Sequence, residues 1–249
     1  MQIYIGSEPT KNNEFPVEGS FVEIEGEPYY QITNYDSMAP FFMSIVSDSD
    51  HWMFVSSLGG LSAGRKSPEH ALFPYYTVDK IHDSHDLTGS KTIVLVQRKG
   101  RTYLWEPFSS RYRGIYNCKQ VIYKSIYGDK VRFEESNEDL GVRFSYTWCT
   151  GQATGFVKQS RIENYKNEPV AVTILDGIQN LLHFGIERQM QSERSNLLDA
   201  YKKSELEVTT GLGIFALSSL VVDKPVPSEA LKATTVWSAG IQPDTYLLS

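Results

Sequence analysis

Five consecutive residues, Asp48-Ser49-Asp50-His51-Trp52, hold the densest mixture of polar and aromatic chemistry in the sequence. Two carboxylates beside an indole could accept sugar hydroxyls while the ring stacks on the apolar face of a pyranose. The same Asp-Ser-Asp is also ordinary turn chemistry, with Trp52 as core. Arg65 follows the Gly59-Gly60 hinge in the same stretch, residues 41–76. Further on, Trp105-Glu106-Pro107-Phe108 precedes Arg111-Tyr112-Arg113, a candidate contact for an anion or a sugar. Asp48, Asp50, His51, Trp52, Arg65, Trp105 and Arg113 are therefore the candidates for binding carbohydrate or for docking another domain.

Other polar clusters carry less. His82-Asp83-Ser84-His85-Asp86 has the residue types of a metal site, but no third His or Cys stands at matching spacing. It reads as a solvated loop, and no metal is expected. Glu134-Glu135 and Glu138-Asp139 read as turn residues facing water rather than as a glycosidase pair across a cleft. Arg98 and Arg101 flank a hairpin turn and are expected to face water. No serine has a GxSxG setting, and no phosphate loop or dinucleotide fingerprint occurs. Gly211-x-Gly213 lacks the third glycine and reads as a bend. No catalytic residue and no cofactor is expected.

The totals bound the class. The chain has 249 residues, 41% hydrophobic and 22% charged, which is globular rather than disordered composition. Fifteen tyrosines suit a sugar-binding β protein, and they equally suit half-buried strands. A net charge of −6 gives no global case for nucleic acid or an anionic membrane as a partner. No apolar run approaches the ~20 residues of a membrane span. The first residues show neither a basic start nor a hydrophobic core, so no signal peptide is visible. Two cysteines, Cys118 and Cys149, make no disulfide framework, and a reducing cytoplasm is the expected setting.

Strand signals run the length of the chain. Residues 2–5, 21–24 and 29–33 come first. Residues 41–46 and 52–55 are two strands joined by a polar turn, followed by a glycine-hinged loop. Residues 77–90 are a polar connection. Residues 91–97 are nearly continuously apolar, which predicts burial on both faces. Residues 102–105 return as the other arm of a hairpin. Residues 120–127 and 130–135 flank a two-residue Gly128-Asp129 turn. Residues 140–148 alternate, with Leu140, Val142, Phe144, Tyr146 and Trp148 on one face. Residues 155–165 and 169–175 pair across a Lys-Asn-Glu turn. Residues 187–203 are the one convincing helix. Strands resume at 205–210, 214–222, 230–237 and 245–248. One all-β domain over residues 1–249, a large antiparallel β super-sandwich with one or two short helices, is the expected fold.

Three stretches carry a family resemblance. They are residues 41–76 with Ser56–Gly64 (SSLGGLSAG), residues 161–182 with Asn164-Tyr165-Lys166-Asn167-Glu168-Pro169-Val170, and residues 199–219. Together they resemble the N-terminal β domain of glycoside phosphorylases and hydrolases of the cellobiose phosphorylase type. The resemblance implies a galactose-mutarotase-like super-sandwich that precedes an α-helical catalytic barrel. No position here matches a catalytic residue of that family. The expectation is a non-catalytic N-terminal domain that supports a missing C-terminal helical domain, shapes its sugar cleft and offers a homodimer surface. Residues 243–249, which look like part of a strand, fit a domain cut from a longer chain and fit an ordinary last strand equally well. A stand-alone aldose epimerase is the rival, with His51 or His183 and a glutamate as acid and base. A carbohydrate-binding module without chemistry is the third reading.

Overall fold

The computed structural model describes residues 3–5, 8–11, 15–74, 78–221 and 228–248. Gln2, Tyr75, Tyr76, Thr77, Val222 and Ser249, which fall within expected elements, lie outside the described residues. The protein is all-β and antiparallel, with two short helices.

A small ribbon, β1 (Tyr4–Ile5) and β2 (Glu8–Pro9), precedes the hairpin of β3 (Glu18–Ile24) and β4 (Glu27–Thr33). β5 (Phe42–Ile45), β6 (His51–Ser56) and β7 (Leu61–Arg65) form a three-stranded meander. The expected loop after Gly59-Gly60 is thus a third strand, because Leu61 and Ala63 alternate inward and are fully buried. A 3-10 helix, Val78–Ser84, occupies the expected polar connection. β8 (Gly89–Arg98) and β9 (Arg101–Trp105) make the next hairpin. β10 (Cys118–Ser125), β11 (Val131–Asn137), β12 (Val142–Gly151) and β13 (Gly155–Asn164) run as an antiparallel meander. With β4 and β3 they complete a six-stranded sheet ordered β13-β12-β11-β10-β4-β3. The β10–β11 connection is wider than a two-residue turn: Ser125 N donates to Lys130 O and Gly128 N to Ser125 O.

β14 (Ala171–Gln179) pairs with β8, giving the order β14-β8-β9. The expected single helix over 187–203 is two pieces, α1 (Arg188–Glu193) and α2 (Ser195–Asp199), broken at Arg194. Lys202 and Lys203 already belong to β15 (Lys202–Glu207), which pairs with β16 (Leu212–Leu217), and β16 pairs with β17 (Ala233–Val236). Residues 245–248 form no strand.

The clear alternation of residues 140–148 is realised as written. Leu140, Val142, Phe144, Tyr146 and Trp148 are all buried. On β11, Phe133 lies directly opposite Tyr146, and their rings stack with centroids 4.9 Å apart. Each such side chain contributes roughly 1.5–3 kcal/mol by leaving water. The same core takes Ile45, Met53, Val55, Leu61 and Ala63 from the β5–β7 meander and Val94, Val96 and Trp105 from β8–β9. Three sheets therefore share one interior. A second, smaller cluster of Leu182, Ile186, Leu198 and Leu217 seats the two helices on β16.

One sheet departs from its expected burial. Along β8 the side chains of Thr92, Val94 and Val96 are buried, but Leu95 on the other face is 38% exposed. Leu104, directly across from Leu95 on β9, is 43% exposed, and Leu175, across from Ile93 on β14, is 48% exposed. The apolar sequence of β8 is that of a strand covered on both faces, yet one face is bare.

Candidate functional site

The sequence candidates fall in three separate places. Asp50 caps the β5–β6 turn, where its Oδ1 accepts from Arg65 Nη2 at 2.9 Å and Nε at 3.2 Å. That pairing holds the Asp50 carboxyl below its ordinary range. Arg65 sits directly across β6–β7 from His51, so register explains the meeting. His51 Nδ1 lies 2.9 Å from Ser49 Oγ, and its ring meets Phe156 edge-on. Burial, then the Arg65 charge, lowers the His51 pKa. Trp52 is half-buried and covers Gly64, where a Cβ would stand 2.6 Å from its ring. Asp48 is exposed in the same turn. This corner is a built polar turn whose charges already satisfy one another.

Trp105 is 2% exposed and its indole N–H donates to Glu135 Oε1 at 2.8 Å. Its ring faces lie in the core, so it offers no platform for a sugar. Arg113 is elsewhere, donating to Asp36 O at 3.1 Å and Oδ2 at 3.2 Å. Arg111 lies 4.0 Å from Asp86. Nor does Arg98 simply face water: its guanidinium reaches Leu140 O, Glu168 O and Asn164 Oδ1. It thereby ties the β8–β9 turn to the Asn164–Glu168 turn, which Asn164 also holds through Nδ2 to Glu168 O at 2.8 Å.

Glu134 and Glu135 are not turn residues. They are consecutive in the middle of β11, so they point to opposite faces of the sheet and cannot flank one glycosidic bond. Glu134 faces outward into a lattice of Tyr123, Arg132 and Arg143. Glu135 faces inward and is fully buried. Its Oε2 accepts from Phe108 N at 2.8 Å and from Gln120 Nε2 at 2.7 Å, alongside the Trp105 bond. Burial raises its pKa despite these donors. Phe108 holds a left-handed φ of 63°, a costly conformation for an aromatic residue, and the Glu135 carboxylate pins it there. The β11 alternation, with Val131 and Phe133 inward, already carried the signal that Glu135 points inward.

That strained turn forms one wall of a cleft. The Gly59-Gly60 turn, His85-Asp86, residues 90–92 of β8 and Tyr146 of β12 form the others. The glycines are needed for the close approach. A Cβ on Gly60 would stand 2.4 Å from Ile81 O, and one on Gly89 would stand 3.0 Å from Gly59 O. Inside, Lys91 pairs with Glu106 and His85 Nε2 lies 3.4 Å from Asp86 Oδ2. Just behind, Asp176 Oδ1 accepts from Thr92 Oγ1 and from Lys158 Nζ, both at 2.6 Å. Burial lowers the Lys158 pKa against the pull of Asp176. The cavity is about 40 Å³, room for a water or two rather than a sugar ring. His82 Nδ1 meets the buried Ser56 Oγ at 2.7 Å, and that oxygen also accepts from Leu58 N, so the pair braces the turn. Among the described residues no three His, Cys, Asp or Glu side chains are grouped as metal ligands would be.

A larger cavity, about 370 Å³, opens where β14 ends, and its Ile178 pairs across β14–β8 with Ser90 of the cleft. Asn180, His183, Lys202 and Ser204 and five apolar side chains line it. His183 is 6% exposed, with Nε2 at 3.1 Å from Ser204 Oγ and its ring edge-on to Phe215 at 5.5 Å. Burial and then Lys202 lower its pKa, so it is neutral at pH 7. Sequence reasoning named His183 only as a rival catalytic base. Its neighbours come from three elements far apart in sequence, and no local pattern joins them.

No protein-family model matches the chain, and a search of curated proteins found no match.

Proposed function

We propose that this chain is a non-catalytic β domain of a carbohydrate-active enzyme that cleaves or forms glycosidic bonds. In this reading it buttresses an α-helical catalytic domain of the same polypeptide and helps shape the sugar cleft. The observation that carries the docking role is the bare apolar face of β14-β8-β9, with Leu95, Leu104 and Leu175 exposed side by side. A strand with the apolar sequence of β8 belongs under a second layer. The face adjoins the β6–β7 turn, since Gly89 packs on Gly59 and Leu61. Lys91, on the same face of β8 as Leu95, is already paired with Glu106, which suits an apolar cover. The sugar chemistry rests on the family resemblance of the stretches around Ser56–Gly64 and Asn164–Val170. Two free, half-buried cysteines are consistent with a reducing cytoplasm.

The test is the intact mass of the native gene product, taken from the source cells, with its activity on β-linked disaccharides in phosphate and in water. A product several hundred residues longer that cleaves such a bond is the expected result. A native product of 249 residues, or a longer one inert on glycosides, overturns the reading.

A further inference from the structure

The larger cavity has a chemistry of its own. Its floor is apolar: Ile178, Leu181 and Phe215, with Leu247 and Leu248 along one side. Leu248 reaches the site because Gly213 makes room, and a Cβ there would stand 3.2 Å from Leu248 Cδ2. Cross-strand register puts Ser204 directly opposite Phe215, and Lys202, two residues along β15, points to the same face. Asn180 holds a left-handed φ of 58°, which turns the chain from the end of β14 to bring Leu181 and His183 under the sheet.

The polar set is of one kind. Asn180, neutral His183 and Ser204 can each both donate and accept. The single cation, Lys202, already donates to Asp199 Oδ1 at 2.7 Å. A site for an anion would keep its cation free, and a site for a cation would gather carboxylates. Groups that donate and accept at once, over an apolar floor, match hydroxyls on a ring whose other face is C–H. The volume of about 370 Å³ sits at the small end of ligand sites, enough for one ring and not for a chain.

We propose that this bowl binds a single neutral sugar ring, in a cavity separate from the cleft at Gly59 and without chemistry. The inference rests on the carbohydrate reading for its ligand class, and on the cavity alone for its place. The ring lies over Phe215 and Leu181, and its hydroxyls exchange hydrogen bonds with Asn180 and Ser204. His183 stands beneath, fixed through Ser204.

The experiment titrates the chain with glucose, galactose, mannose and, as the anionic probe, acetate. Binding is read by saturation transfer to the ligand and by the imidazole proton shifts of the five histidines. The expected result is binding of at least one hexose, a shift confined to His183, and about tenfold weaker binding in Ser204→Ala, the loss of one hydrogen bond. Asn180→Gly, which tolerates the same backbone, should weaken it likewise. Asp50→Ala should leave it unchanged. Acetate binding in place of sugar, sugar binding that ignores both substitutions, or no sugar binding at all overturns the proposal. Absence of sugar binding would leave the docking role standing, because that role is read from the mass and activity of the native product.

Discussion

Glu135 is the residue on which the interior depends most. Three nitrogen donors converge on its carboxylate, Trp105 Nε1, Phe108 N and Gln120 Nε2, with the Cys118 thiol beside them. Replacing it by leucine fills the space and strands all three. A buried orphan donor costs about 1–3 kcal/mol, so Glu135→Leu should lose at least about 3 kcal/mol in urea unfolding, and Glu135→Gln, which keeps one acceptor, should lose less. The pH dependence has a definite sign. The folded pKa lies above the ordinary 4.5, so the folded state holds this proton more tightly than the unfolded state. Stability from this group is fully present below pH 4.5 and is lost as pH rises toward the raised value. The difference between wild type and Glu135→Gln, followed by urea unfolding across that window, should shrink as pH rises. A constant difference would mean that the buried carboxyl does not titrate differently on folding.

Among the elements, the β6–β7 hairpin meets backbone at its turn, which leaves no room for a side chain at Gly60. Gly60→Ala places a methyl 2.4 Å from Ile81 O and 2.9 Å from Ser84 Oγ. Overpacking of this kind costs about 1–3 kcal/mol. Gly177, in the middle of β14, meets nothing within 4 Å, so Gly177→Ala should be neutral or slightly stabilising, by up to about 1 kcal/mol. Thermal unfolding of the two variants side by side checks the contrast. The sequence showed the Gly-Gly hinge but not its reason, because Ile81 and Ser84 arrive from a 3-10 helix that reads as plain polar loop. Elements with a strict period were legible: residues 140–148 alternate and are buried as they read. Elements without one were not. Residues 187–203 average to a helix, but the chain breaks at Arg194 and turns to strand at Lys202 so that Leu198 and Leu217 can close the second cluster. Candidates at the β5–β7 corner are spent on bonds within that meander, Asp50 with Arg65 and His51 with Ser49, while Trp105 and Arg113 are spent on distant partners, Glu135 and Asp36. The groups that converge from afar, such as His183 with Ser204 and Glu135 with Trp105, had no sequence spacing to betray them.

At the scale of the whole molecule, the open question is what covers the β14-β8-β9 sheet. β14 runs nine residues with one partner, and it is exposed along most of its length. A long edge with aliphatic side chains on its face invites pairing with another chain unless something lies over it. An alanine scan would blur this, since removing any aliphatic group also costs some core. A charge placed on the bare face separates the effects. Leu95→Lys with Leu175→Lys keeps the buried face of β8 intact, because Thr92, Val94 and Val96 point the other way. In the isolated chain the pair should change stability by no more than about 0.5 kcal/mol per site and should reduce self-association in analytical ultracentrifugation. If a second domain of a longer product covers this face, as proposed, the same charges would be buried there without partners, at several kcal/mol, and that product should unfold in two steps and be cut between its domains by protease. If the full-length variant unfolds in one step at the wild-type temperature, this sheet is not the docking face, and the exposed leucines are simply surface.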